Sequence, residues 1–157
     1  ILLAGLYTLR IYAGGYAAGV PISAWLTTFS MFFFLSLALA KRFAELATFR
    51  RANKERAAGR GYVASDLEQL AGLGASSGYI AVLILALYIR SPEAASLYAH
   101  PALLWFACPI LLYWISLVWL RARQGGLDED PIVHALSDKN SYVAASACAA
   151  ILFLAGR

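Results

Sequence analysis

Charge is scarce in this chain. Of its 157 residues only 14% are Asp, Glu, Lys or Arg, against about 25% in a soluble domain. Acid is scarcer than base: 9 Asp+Glu stand against 13 Lys+Arg, a net charge of +4. There are two cysteines, Cys108 and Cys148, each inside an apolar run. So few thiols, with no C-x-x-C spacing, exclude a disulfide scaffold and a cysteine metal site and leave buried reduced thiols. Tandem repeats and low-complexity tracts are absent. What fills the chain is apolar: 61% hydrophobic and 13% aromatic residues, with a mean hydropathy of +0.66. That balance excludes a disordered chain and an ordinary water-soluble domain and indicates a bilayer protein. At about 20 residues per spanning helix plus loops, the length accommodates roughly five spans. The chain opens on Ile1-Leu2-Leu3. With neither Met nor a basic n-region there, we read no secretory signal and expect a piece of a longer protein.

Four uncharged stretches define the spans: Ile11 to Ala40, Gln69 to Ile89, Ala94 to Leu120 and Asn140 to Gly156. The first is too long for one helix and is interrupted by Gly19-Val20-Pro21, a turn signal. The expected fold is all-α, a multi-pass transmembrane bundle with helices at about 1–18, 22–49, 70–90, 101–121 and 140–156. Runs such as Met31-Phe32-Phe33-Phe34-Leu35 do not alternate, which argues against a β-barrel.

Basic residues orient the bundle. Lys41, Arg42, Arg50, Arg51, Lys54, Arg56, Arg60, Arg121, Arg123 and Lys139 fall on one side, and only Arg90 and Arg157 on the other. The first side is expected to be cytoplasmic, in a plasma membrane of bacterial inner-membrane type. Gly15 with Gly19, and Gly74 with Gly78, are small residues at four-residue spacing, read as close helix packing. Gly72-Leu73-Gly74 follows no strand, so a dinucleotide loop is set aside in favour of packing. Pro109 is expected to kink the fourth span.

Four groups carry candidate chemistry. Arg10 lies within an apolar segment, where an unpaired arginine costs about 2.5–3.5 kcal/mol. It therefore needs a polar cavity or partner, or must snorkel. Lys41 and Glu45 are i, i+4 on one helix face, with Arg42 about 100° away; a cation at a cavity mouth suits diphosphate or lipid phosphate, or simply anchors the helix. The basic loop from Phe49 to Glu68 includes Arg60, Tyr62 and Asp66, next to glycines that permit close backbone approach. Asp128-Glu129-Asp130-Pro131 with His134 and Asp138 admits a Mg²⁺ reading. Asp130 as N-cap and Pro131 at N1 make a helix start the better one. His100-Pro101 reads as another helix start.

Arg10-Ile11-Tyr12-Ala13-Gly14-Gly15, then Gly19-Val20-Pro21-Ile22-Ser23-x-Trp25, then Lys41-Arg42-x-x-Glu45-Leu46 resembles the UbiA prenyltransferase superfamily. Its decaprenyl-phosphate phosphoribosyltransferase-like branch is the nearest, and Asp130-Pro131-Ile132-Val133-x-Ala135-Leu136-x-Asp138 is similar to that group's last cytoplasmic loop. The resemblance runs over nearly the whole chain. It implies a nine-helix fold with two polar motifs, of which these spans would be helices five through nine. It also implies a Mg²⁺-dependent membrane transferase acting on a polyprenyl (di)phosphate, with diphosphate release. Lys41 and Glu45 would be catalytic; Arg10, Arg42, Arg60, Tyr62 and Asp66 would bind substrate. The aspartate-rich metal motif has no counterpart here and is expected upstream of Ile1, in helices of the same protein, so this chain alone is expected to be inactive. The second motif departs from its commoner aspartate-rich form, which puts aromatic-acceptor prenylation in doubt. The rival readings are a transporter half or non-catalytic membrane subunit, and a structural anchor. The expected partners are the bilayer and a polyprenyl lipid, not nucleic acid.

Overall fold

The computed structural model describes residues 2–19, 23–51, 67–124 and 139–156. Among them every regular element is helical. The order is α1 (Leu2–Ala17), α2 (Ala24–Arg51), α3 (Leu67–Ile89), a short α4 (Pro92–Leu97), a 3₁₀ helix (Pro101–Phe106), α5 (Ala107–Gln124) and α6 (Lys139–Ala155). Three segments are long and apolar enough to cross a membrane: Ala24–Thr48, Leu67–Ile89 and Pro101–Gln124, of 25, 23 and 24 residues. At 1.5 Å per residue the second is about 35 Å long, enough for a hydrocarbon core of about 30 Å. Helices α1 and α6 have 16 and 17 residues and are shorter than a full span, so the five-span expectation holds in full for three. The chain is a membrane-embedded helical protein.

The first turn forms where the glycine predicted it. α1 ends at Ala17 and Gly19 takes φ +66°, the left-handed conformation that glycine adopts without steric cost. Gly19 is thus a turn residue beyond the helix, and Gly15 with Gly19 do not form a packing face. The other glycine pair does. A Cβ on Gly74 would lie 2.1 Å from Cζ2 of Trp119 and 3.0 Å from Cβ of Leu39; one on Gly78 would lie 2.6 Å from Ile115 and 2.9 Å from the Ser36 hydroxyl. α3 therefore seats α2 and α5 directly on its backbone, as small residues allow in lipid.

Hydroxyl and indole groups tie these helices across the core. Trp119 Nε1 donates to Ser36 Oγ at 3.1 Å, joining α5 to α2. Trp114 Nε1 donates to Ser141 Oγ at 2.9 Å, joining α5 to α6. Tyr79 and Ser116 hydroxyls lie 3.1 Å apart between α3 and α5. Around Trp119, the buried cluster includes Leu39, Phe43, Leu70, Ile115 and Val118, with the Phe43 ring edge-on at 5.9 Å.

The segment from Pro101 to Phe106 is 3₁₀ and the α-helix begins at Ala107. Pro109 lies within the Pro101–Gln124 span, as expected, and falls in the first turn of its α-helical part, where a missing N–H costs least. The helix start at His100-Pro101 is as expected, though its first six residues are 3₁₀; α4 was not foreseen. Both begin on proline, and Ser91 caps α4 by accepting from the Ala94 amide.

Candidate functional site

The sequence-derived candidates fall along the seam between α1 and α2. Tyr7 stacks on Phe34 with ring centroids 5.1 Å apart, which fixes the register of this helical hairpin. Lys41 lies seven residues past Phe34, about two turns, and so shares its stripe on α2; Glu45 follows one turn on. At Phe34 this stripe faces α1, on the side of α2 away from Ser36 and Phe43, which pack on Trp119; by the same register Leu2 is level with Leu39, so Lys41 and Glu45 lie past the first residue of α1. Lys41, Arg42 and Glu45 are each half-buried. The Arg42 guanidinium donates to the Glu45 carboxylate in an i, i+3 ion pair. This end of the bundle, rich in Lys and Arg, is hereafter the basic end.

Arg10 does not join them. It stands over the Tyr7 ring, 5.3 Å from the centroid, as a cation–π pair on the exposed side of α1. α1 and α2 run antiparallel, so Arg10 is level with Met31, three residues above Phe34. The difference in height between Arg10 and Lys41 is ten residues, about 15 Å. One diphosphate does not reach both. Arg60, Tyr62 and Asp66 lie outside the described residues, as do Asp128, Glu129, Asp130, His134 and Asp138.

Around the level of Arg10 lies a feature that charge-based reading missed. Phe29 stacks on Phe33 at 5.5 Å, Phe33 meets Phe34 edge-on at 5.8 Å, and Phe33 also stacks on Trp114 at 5.8 Å. Phe29 and Phe33 lie roughly 140° and 100° round α2 from Phe34, so these rings turn toward α5, and only Tyr7 and Phe34 lie on the stripe of Lys41. The signal of this ring cluster was present in the sequence as the i, i+4 spacing of Phe29 and Phe33, the latter inside the aromatic run Phe32-Phe33-Phe34. A narrow crevice beside it, lined by Phe33, Ser36, Leu37, Ile115, Val118 and Trp119, has no room even for a water molecule, whereas ligand pockets take up roughly 300–1,000 Å³. The open seam, rather than this crevice, is the candidate site.

Metal binding finds no ligand set here. Among the described residues no three His, Cys, Asp or Glu side chains gather where they could share an ion, and the carboxylate on the seam, Glu45, is engaged by Arg42. The implied Mg²⁺ therefore does not fit the described residues. What the seam can do is hold an amphipathic anion: cations at the basic end for the head and a run of rings for an apolar tail.

The fold and the seam thus define a helical membrane protein with a charged mouth. The chain is 37% identical over 142 residues to a Sinorhizobium fredii protein named "Uncharacterized protein y4nM", a match covering 90% of this chain and 28% of that one. It is also 37% identical over 145 residues to "Nodulation protein NoeC" of Azorhizobium caulinodans, covering 90% of this chain and 46% of the relative. The chain therefore spans between about a quarter and a half of the length of these curated relatives. No family model matches it, and no solved structure does.

Proposed function

We propose that the chain is part of an integral membrane transferase of UbiA type. It would act on a polyprenyl (di)phosphate, by prenyl or phosphoribosyl transfer with diphosphate release, in a bacterial inner membrane with the basic end in the cytoplasm. The observation that supports this reading is that the stripe of α2 bearing Lys41 and Glu45 continues into the stacked rings of Tyr7 and Phe34, with Arg42 paired to Glu45 beside it. A cationic mouth on a ring-lined apolar path suits a ligand with an anionic head and a long hydrocarbon tail.

In this reading Lys41 holds a phosphate oxygen and stabilises the charge that collects on the departing diphosphate. Glu45, paired with Arg42, fixes the guanidinium so that its remaining N–H groups stay aimed along the seam. The rings exclude water from the tail. Mg²⁺ belongs to the proposal only through the family resemblance, and no step is routed through it. The test is lipid-substrate turnover by the full-length protein carrying Lys41→Ala or Glu45→Gln. A loss of 10²-fold or more in either, with normal membrane insertion, supports the reading. Unchanged turnover in both overturns the site. No transfer from any polyprenyl phosphate by the wild type favours the non-catalytic or transporter alternative.

A further inference from the structure

At the end of the bundle opposite the basic one, α4 and the 3₁₀ helix form a collar whose height can be read from the helix register. Gly74 meets Trp119 and Gly78 meets Ile115, so each four-residue step along α3 is matched by four residues back along α5. Continued at that rate, Ile89, the last residue of α3, is level with Leu104, to within about one turn. Trp105 and Phe106 therefore sit at the last turn of a helix that is itself about 35 Å long, the depth at which hydrocarbon gives way to headgroups.

The collar is firmly held. The Ser91 hydroxyl caps α4. The Glu93 side chain meets Ser91 and Trp25, bringing in the start of α2. Trp25 and Tyr88 rings lie 6.3 Å apart. The His100 amide donates to the Ala155 carbonyl at 3.0 Å, closing the ring on α6. Despite these ties, Leu97, Trp105 and Phe106 remain 68%, 45% and 63% exposed. Arg90 and His100, also exposed, flank them.

We infer that this collar is a lipid-binding surface, seated in the headgroup layer of the leaflet opposite the basic end. Trp105 and Phe106 enter the acyl boundary, and Arg90 lies among lipid phosphates. The chemistry favours lipid over a protein partner. Indole and phenyl rings at the end of a span beside a cation form an interfacial belt, and their height coincides with the bilayer boundary.

The test uses the full-length protein reconstituted in phosphatidylcholine vesicles. The fluorescence assigned to Trp105 is taken as the difference between wild type and Trp105→Phe. Phosphatidylcholine brominated at carbons 6 and 7 is expected to quench that difference at least twofold more strongly than lipid brominated at carbons 11 and 12. Stronger quenching by the deeper label overturns the assigned depth. No response to either label overturns lipid contact, whether aqueous acrylamide quenches the signal, meaning water, or does not, meaning a covering protein. Benzoylphenylalanine placed at position 106 gives a second reading that does not depend on tryptophan. A phospholipid adduct on its peptide is expected, and a crosslink to a polypeptide refutes the inference.

Discussion

Replacing Gly74 by alanine tests the packing scheme most directly, because the added methyl has nowhere to go. Its carbon would stand 2.1 and 2.4 Å from two ring atoms of Trp119 and 3.0 Å from Leu39. Trp119 is buried, and its indole is committed to Ser36 and its ring to Phe43, so it cannot swing aside cheaply. Overpacking of this kind costs about 1–3 kcal/mol. Loss of the Trp119–Ser36 bond adds about 0.6 kcal/mol, the average for hydrogen bonds between membrane helices. Against this, alanine is the better helix former by about 1 kcal/mol. The net expectation for Gly74→Ala is destabilisation of about 0.6–2.6 kcal/mol. Gly72 lies on the same helix with nothing within 4 Å of an added Cβ. Gly72→Ala keeps the propensity gain without the clash and should be neutral or stabilising by up to about 1 kcal/mol. The two substitutions are chemically identical and two residues apart, yet opposite in sign. Reversible unfolding in mixed micelles by SDS titration, followed by tryptophan fluorescence, measures both. A Trp119→Leu background should remove most of the Gly74→Ala cost, a coupling that a double-mutant cycle isolates. Equal stabilities for Gly72→Ala and Gly74→Ala would refute the seating of α3 on α5.

Two further outcomes follow from polar contacts. Ser36→Ala leaves the Trp119 indole N–H without its acceptor in the core, and should cost about 0.6 and at most about 1.7 kcal/mol in the same titration. This is less than Gly74→Ala, because no atoms are forced together. At the opposite end, hydrogen bonds from its own backbone amide and from Ser91 hold the Glu93 carboxyl below its ordinary 4.5, and the Trp25 side chain acts in the same sense. A depressed pKa gives stability that is fully present above the unfolded value and fades as pH falls through the folded one. Glu93→Gln should therefore be less stable than wild type at about pH 6, with the gap closing toward about pH 3, as measured by thermal unfolding in detergent.

The long helices were legible because a bilayer imposes an unambiguous demand: about 20 apolar residues without charge. Gln69–Ile89 was found almost to the residue as Leu67–Ile89. Gly74 and Gly78 were legible because small residues at four-residue spacing lie on one face. Gly15 and Gly19 carried the same spacing but not the same meaning, since the helix stops at Ala17. α4 was missed although its signals were plain: Ser91-Pro92 is an N-cap followed by proline at N1. Glu45 shares a helix face with Lys41 at i, i+4, and it also pairs with Arg42 at i, i+3; both spacings meet on a helix. The relative height of two charges on different helices was beyond the sequence, because it depends on one ring contact, Tyr7 on Phe34, that no local pattern announces.

That height bears on how the seam works. The resemblance gave Arg10 to substrate binding and Lys41 to catalysis, and about 15 Å of helix separates their levels. Perturbations more than about 7–10 Å apart with no shared partner add in free energy to within about 0.3–0.5 kcal/mol. If Lys41 grips the head of a lipid substrate while Arg10 acts elsewhere along its tail or in folding, the loss of turnover in Arg10→Ala/Lys41→Ala should equal the product of the two single losses. Two cations on one diphosphate would behave otherwise: once the first is gone, the second change would cost much less than it does alone. Lipid-substrate turnover of the two single variants and the double variant, in the full-length protein, separates the cases. A double variant no worse than the more damaging single one would show that a common ligand couples the two residues, and would overturn the register drawn from Tyr7 and Phe34.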